Sequence, residues 1–194
     1  MRLFRRGFLA VSGLVLVFAV LSGAARADDA PLKVVATTGM IADSARQVGG
    51  DLVEVQALMG PGIDPHAYRQ TRSDIVAMTN ADLVLWHGLY LEAQLEDFMR
   101  DLAETQTVVA VAESLPRNLL IAHDDYDDKF DPHVWMNPNL WARVVLNVRD
   151  ALIEARPEAK AAFEAGAKTH LAEISDLAVY ANKVLASVPA DSRV

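Results

Sequence analysis

The chain has 194 residues, of which 52% are apolar and 23% are charged, enough for one compact domain with a buried core. It contains no cysteine, which excludes disulfides, thiolate metal ligands and a catalytic thiol. The formal net charge is −8. Because the chain is acidic and has no basic stripe, nucleic acid and anionic membranes are poor candidates for partners.

The first 27 residues have the three parts of a secretory signal peptide. A basic start at Met1–Arg6 precedes an apolar run at Phe8–Leu21, and Ala25-Arg26-Ala27 is typical of a cleavage site. The run is short for a membrane span of about 20 residues, which favours cleavage over an uncleaved anchor. Cleavage would leave 14 basic and 26 acidic residues, a net charge of −12. We expect export by the general route or by the twin-arginine route at which Arg5-Arg6 hints.

The expected destination follows from the residues around the cleavage site. No cysteine stands there to carry the lipid of a bacterial lipoprotein. In a bacterium with two membranes we therefore expect a monomeric periplasmic protein, with no lipid anchor and no stable membrane insertion after cleavage.

The mature segment alternates short apolar runs with helical patterns. Strands rich in valine and leucine are predicted at Leu32–Ala36, Leu52–Met59, Leu83–Trp86 and Thr107–Val111. Helices are predicted at Met40–Val48, Thr71–Thr79 and Leu91–Leu102, and Thr71 with Asp74 predicts a capping box at the start of the second. This alternation predicts an α/β lobe with a four-stranded, mainly parallel sheet flanked by helices. Ligands of such sheets bind beyond the carboxyl ends of the strands.

Two further helices are predicted after a stretch without periodicity. Asn137-Pro138 is typical of a helix cap followed by proline in the first turn. Pro157 begins a second apolar stripe that runs to about Ser187, roughly 46 Å at 1.5 Å per residue. This helix is longer than one lobe needs. We therefore divide the mature chain into a lobe at 28–156, a long helix at 157–188 and the start of a further element at 189–194.

The same tripeptide, Asp-Pro-His, occurs twice, at 64–66 and at 131–133. Proline restricts both its own backbone and that of the preceding residue. The aspartate can close a turn or accept an imidazole N–H, so that the other ring nitrogen faces a metal. We predict His66 and His133 as metal ligands, with Asp64 and Asp131 supporting them.

The other histidines are weaker candidates. His87 follows the third predicted strand and either lines the cleft or lies in a loop near solvent. A second group opens with His123 and is either a solvated charge run or a loose metal-capturing loop: His123, Asp124, Asp125, Asp127 and Asp128. His170 falls on the apolar stripe of the long helix, which favours a packing role.

Four segments together resemble the TroA-type metal receptors of zinc and manganese ABC importers. They are VVATTGM at Val34–Met40, ALMGPGIDPHAY at Ala57–Tyr68, NADLVLWHGLYLE at Asn80–Glu92 and DPHVWMNPNLW at Asp131–Trp141. The resemblance implies two α/β lobes joined by a long rigid helix, with the metal between the lobes and with His66 and His133 as ligands from the first lobe. It also implies delivery of the ion to a membrane permease with a separate ATPase, and no catalysis by this chain.

The sequence departs from the family pattern in two places. The family usually has asparagine at the position of His87, so a ligand role for His87 does not follow from the resemblance. The family's second lobe supplies a histidine or glutamate and later an aspartate, and we expect these beyond Val194. The chain is then either a fragment or the product of an interrupted gene, and its half-site should bind metal weakly. The acidic loop that begins at His123 resembles the loops of zinc receptors, which favours zinc slightly over manganese.

Two other classes of function fit some of these residues. A secreted metal-dependent hydrolase would use both histidines with Asp64 or Asp131, but it needs an open coordination position and a general base. An exported adhesin or structural protein would be indifferent to replacement of His66 and His133.

The histidine pair predicts pH-dependent metal binding. An imidazole must be neutral to bind a metal, and its ordinary pKa is about 6.5. Metal affinity should therefore fall as the pH drops through that range, because protons then compete for the ring nitrogens. Metal titrations at pH 7.5 and pH 5 check this, and equal affinities would contradict it.

Overall fold

The computed structural model describes residues 30–124, 126–189 and Ser192. The predicted signal peptide at 1–27, Asp125 and most of the segment 189–194 lie outside the described residues. Within the described ranges, no helix is long and apolar enough to cross a membrane.

A four-stranded sheet forms the centre of the fold, and all of its strands are parallel. The strands are β1 (Leu32–Ala36), β2 (Val53–Ala57), β3 (Leu83–Trp86) and β4 (Val108–Ala110), in the order β2-β1-β3-β4. Val34 of β1 pairs with Val55 of β2 on one side and with Leu83 of β3 on the other. Every residue of β3 is buried, as expected for a parallel strand covered on both faces. The predicted four-stranded sheet is confirmed, with β2 and β4 shorter than expected.

In the part of the chain that the structure describes, five α-helices cover the two faces of the sheet. They are α1 (Gly39–Gly49), α2 (Arg72–Thr79), α3 (Glu96–Leu102), α4 (Pro138–Ala155) and α5 (Lys160–Ala186). Helices α1, α4 and α5 share one apolar core with one face of the sheet, and α2 and α3 share a second core with the opposite face. Short 3₁₀ turns lie at Gly50–Leu52, Arg117–Leu119, Val134–Met136 and Pro157–Ala159.

Two helices have the caps predicted for them, and two others begin later than predicted. The helix predicted from Pro157 begins at Lys160, after a 3₁₀ turn. Thr71 and Asp74 form a reciprocal capping box, and Asn137 caps α4 ahead of Pro138. The helix predicted to begin at Leu91 begins instead at Glu96. The five residues before it form turns, because the carboxylate of Glu92 binds the backbone N–H groups of His87 and Gly88 and so folds this segment back on the end of β3.

Helix α5 has 27 residues and spans about 40 Å at 1.5 Å per residue. Its first half packs on α1 and α4 and buries Phe163, Ala167 and Ile174. Its second half leaves large apolar side chains open to solvent, among them Leu177 and Leu185. The predicted long helix is thus present, and only its first half is packed on the lobe.

Helix α5 passes close to the end of α1 at Gly166. A Cβ atom at this position would lie 2.3 Å from the backbone oxygen of Val48 and 3.0 Å from that of Gln47. These oxygens belong to the last turn of α1, which cannot move away as a flexible side chain could. The packing of the two helices therefore requires glycine at this position.

We expect Gly166→Ala to lower the free energy of unfolding by about 1–3 kcal/mol, because overpacking at the helix contact outweighs the better helix propensity of alanine. Gly39→Ala is the matched control, since no atom lies within 4 Å of its added Cβ. Denaturant titration of both variants measures the difference, and equal stabilities would contradict this view of the helix contact.

Candidate metal centre

The structure brings the two Asp-Pro-His histidines together. His66 lies in the loop that follows β2, and His133 immediately precedes the 3₁₀ turn that leads to α4. Their Nε2 atoms are 3.4 Å apart, although the residues are separated by 67 positions in the sequence. Both side chains are exposed at the surface.

The two motifs fold into the same turn. In each, the aspartate Oδ1 accepts the backbone N–H of the histidine two residues later, at 2.9 Å for Asp64 and His66 and at 2.8 Å for Asp131 and His133. This is an Asx turn, and the intervening proline stiffens it. The identical tripeptides therefore have a common physical role, which is to fix the backbone that carries each histidine.

Asp131 also holds the ring of its histidine. Its Oδ1 lies 2.6 Å from Nδ1 of His133, so Nδ1 carries the proton that is donated to the carboxylate. The backbone N–H of His133 is the main reason that the pKa of Asp131 lies below its ordinary value, and the ring contact acts in the same direction. Neutral His133 consequently presents a lone pair on Nε2, the nitrogen that faces His66.

Two imidazole nitrogens at this separation can bind one metal ion. Nitrogen ligands at about 2.05 Å from a tetrahedral zinc ion lie about 3.3 Å apart, close to the 3.4 Å between the two Nε2 atoms. Without a metal, the same contact is an imidazole–imidazole hydrogen bond, in which Nε2–H of His66 donates to the lone pair of His133. Binding of a metal must therefore displace a proton from Nε2 of His66.

The loop that carries His66 is anchored to helix α2. The hydroxyl of Tyr68 donates to Oδ2 of Asp74 at 2.7 Å, and the same oxygen accepts from the backbone N–H and hydroxyl of Thr71. Burial, followed by the contact with Asp74, raises the pKa of Tyr68 to about 12. The Asp74 pKa is lowered, because the hydrogen bonds from Thr71 and Tyr68 outweigh the desolvation that opposes them. The capping box of α2 thus also fixes the loop that presents His66.

His87 is completely buried, so the expectation that it lies near solvent is wrong. Its place beside a cleft between two lobes stays a prediction. Its Nδ1–H donates to the backbone oxygen of Gly88 at 3.0 Å, and its ring contacts that of Trp135 edge-to-face. Burial lowers the pKa of His87 to about 4, so the ring is neutral at physiological pH. The histidine does not join His66 and His133 as a third ligand in this arrangement.

The buried carboxylate of Glu92 links the ends of β1 and β3 through hydrogen bonds. Oε1 of Glu92 accepts the hydroxyl of Thr37 at 2.6 Å and the backbone N–H of His87 at 2.8 Å. Burial raises the pKa of Glu92 despite these hydrogen bonds. Local sequence patterns do not reveal this role, because Glu92 falls within the helix predicted at Leu91–Leu102 as one acidic residue among several.

The acidic segment around His123 forms a surface loop closed by an antiparallel bridge between Ala122 and Phe130. The ring of His123 contacts Tyr126, which in turn contacts Tyr90. The carboxylates that the structure describes are exposed: Asp124, Asp127 and Asp128. Across the described ranges, no three or more His, Asp or Glu side chains are gathered as a metal-binding group. A capturing role for this loop therefore stays a prediction.

His170 lies on α5, where its side chain is 11% exposed and its Nδ1 is 3.4 Å from Glu173. This position agrees with a packing role on the helix. Trp135 and Tyr68 follow the two Asp-Pro-His motifs in the sequence. The contact of Trp135 with His87 joins segments 48 residues apart, so only the tertiary structure reveals it.

The fold and the site define a class of protein, an α/β lobe that presents two histidines on matched turns beside the carboxyl edge of a parallel sheet. The chain belongs to the ZnuA family, described as zinc-uptake complex component A, periplasmic, which matches residues 34–194. The resemblance predicted from the four segments is thereby confirmed.

Curated relatives carry different metals in their names. The manganese-binding lipoprotein MntA of Bacillus subtilis (strain 168) is 39% identical over 171 residues, which cover 88% of this chain and 56% of the relative. The zinc-binding protein TroA of Treponema pallidum (strain Nichols) is 36% identical over 170 residues, 88% of this chain and 54% of the relative. The iron-binding protein YfeA of Yersinia pestis is 31% identical over 195 residues, 96% of this chain and 62% of the relative. The chain spans somewhat more than half the length of these relatives.

Solved structures of metal-binding proteins also superpose on this chain. The periplasmic zinc-binding protein TroA from Treponema pallidum superposes with a TM-score of 0.79 at 33% identity, over 82% of this chain and 57% of that one. The manganese-bound periplasmic metal-binding protein from Candidatus Liberibacter asiaticus superposes with a TM-score of 0.67 at 27% identity, over 75% and 53%. The names lend no support to a hydrolase or an adhesin. Several relatives are lipoproteins, so the expected absence of a lipid anchor gains no support either.

The geometry predicts unequal roles for the two aspartates. Asp131 binds both the backbone and the ring of its histidine, whereas the contact described for Asp64 is to the backbone of His66. We therefore expect Asp131→Ala to lower metal affinity by about tenfold or more, and Asp64→Ala to lower it less. Competition titrations against a chromophoric chelator measure both variants. Equal losses, or a larger loss for Asp64→Ala, would contradict the assignment.

Proposed function

We propose that this chain is the first lobe of an extracytoplasmic receptor that captures a divalent metal ion and delivers it to the permease of an ABC importer. The observation that carries the proposal is the 3.4 Å separation of the Nε2 atoms of His66 and His133, each presented by the same Asp-Pro-His turn. Membership of the ZnuA family supports it. The proposal extends to the expected cell biology: a periplasmic location, an ATPase on a separate chain, a monomeric receptor and no enzymatic activity.

Zinc is the metal that we favour. The separation of the two nitrogens is close to a tetrahedral edge, and histidine nitrogen is a common zinc ligand. The relatives named for manganese and iron make these ions the principal competitors. Zinc binds more tightly than manganese at most nitrogen sites, whichever ion the protein carries in the cell. Affinity alone therefore does not identify the physiological cargo. Growth of a receptor-deficient strain that carries this protein, in medium depleted of zinc or of manganese, separates the two.

The other ligands belong, in this proposal, to a second lobe of the whole protein or to water. Helix α5 is then the connection between the lobes, and the exposed apolar side chains of its second half support a further packing partner. Two imidazoles leave about half of a tetrahedral shell to be filled. The described lobe should accordingly bind metal more weakly than a closed two-lobed receptor.

The first test is metal binding by His66→Ala and His133→Ala. Each variant removes one of two nitrogens, so we expect zinc affinity to fall by at least about tenfold in either and to be nearly lost in the double variant. Isothermal titration at pH 7.5 measures this directly. His170→Ala is the matched control, because this histidine belongs to α5 and to neither turn.

The outcomes separate the candidate functions. Binding that survives both replacements would place the metal elsewhere and overturn the proposal. Binding by the wild type with hydrolysis of a test ester or phosphoester, lost on chelation, would favour the hydrolase. Binding without turnover, together with loss in both variants, is the result that the receptor requires.

A further inference from the structure

His87 is an unusual residue to find buried. Its Nδ1–H is satisfied by the backbone oxygen of Gly88, but within the described part of the chain its buried Nε2 has no hydrogen-bond partner. A buried polar atom without a partner costs stability, and an apolar side chain of similar shape would avoid that cost. The residue therefore needs an explanation beyond filling the core.

The ring of His87 contacts the metal centre through one intermediate, Trp135. The centroids of His87 and Trp135 are 5.6 Å apart and the rings are perpendicular. Trp135 also contacts the ring of His133. The centroids of these two rings are 5.1 Å apart, and the ring planes are inclined at 65°. Edge-to-face contacts of this kind have a preferred geometry, so each ring restricts the orientation of the next.

Trp135 needs such a restraint because it is not held on every side. It borders an open cleft of about 480 Å³ that is also lined by Met40, Met59 and Pro65. Without a ring behind it, the indole would have room to turn. His87 itself is firmly placed, since its backbone N–H donates to the buried Glu92 at 2.8 Å.

In the described structure the ring of His133 makes two polar contacts, from Nδ1 to Asp131 and from Nε2 to His66. A metal would replace the contact between the two Nε2 atoms, and the bond from Nδ1 alone would then leave the ring free to swing Nε2 away from His66. Contact with Trp135 supplies a second restraint. Metal ligands bind well only when their rings are held close to the productive geometry.

We infer that His87 is a positioning residue of the metal centre, whose ring acts through Trp135 to hold His133 with its Nε2 directed at His66. This inference rests on the proposed metal-binding function. It assigns to His87 no direct contact with the ion.

The test compares zinc affinity in three replacements of His87. His87→Phe keeps a ring against Trp135 and removes the orphan nitrogen, so we expect affinity within about twofold of wild type and an unchanged or higher melting temperature. His87→Ala and His87→Asn remove the ring, and we expect affinity to fall by about tenfold in both. If His87→Ala fails to fold, His87→Asn and His87→Phe still decide the question.

Two measurements exclude a general packing effect. His170→Ala is the matched control, since its Nε2 is likewise buried without a hydrogen-bond partner in the described chain, and it should lower stability without changing affinity. In addition, the double variant His87→Ala/Trp135→Ala should bind no more weakly than Trp135→Ala, because one restraint acts through the other.

Each result has a definite meaning. Wild type that binds no zinc would overturn the proposed function itself. Wild type that binds while His87→Asn binds equally well, or losses in His87→Ala and Trp135→Ala that simply multiply in the double variant, would overturn the inference about His87 and leave the metal site intact.

Discussion

The parallel pairing of β1 with both β2 and β3 is the constraint on which the site depends. It places the carboxyl ends of three strands side by side, so the loops after them share one edge of the sheet. Thr37 follows β1, the loop of His66 follows β2, and His87 follows β3. Glu92 then joins the first and third of these ends through hydrogen bonds to Thr37 and His87. This edge is where the chain gathers its polar groups.

The two halves of the metal centre are held in different ways. His66 sits on a long loop that is anchored at Tyr68 by the capping box of α2, whereas His133 is held at its ring by Asp131 and contacts Trp135. His133 also has its lone pair already on Nε2, the nitrogen that faces His66. Nε2 of His66 must lose its proton, to solvent or to Nδ1 of the same ring, before it can bind a metal. The two histidines thus start from different tautomers.

Much of the fold was readable from local patterns. The apolar runs located all four strands, and the caps at Thr71 and Asn137 located two helix starts, because each signal involves residues close together in the chain. The start of α3 was misplaced, since Glu92 binds backbone groups of His87 and Gly88 instead of continuing a helix. Burial of His87 could not be foreseen from a loop position directly after β3, because it depends on the contact with Trp135 from a distant segment.

The sequence by itself determined which side chains could serve as ligands, because the repeated Asp-Pro-His tripeptide builds its Asx turn from three adjacent residues and needs no distant contact. Only the tertiary structure decided that the two turns face each other with their Nε2 atoms 3.4 Å apart, and that Trp135 connects His133 to the buried His87. Those relations join segments separated by 46 to 67 residues. They follow from strand order and helix packing, which local sequence patterns do not encode.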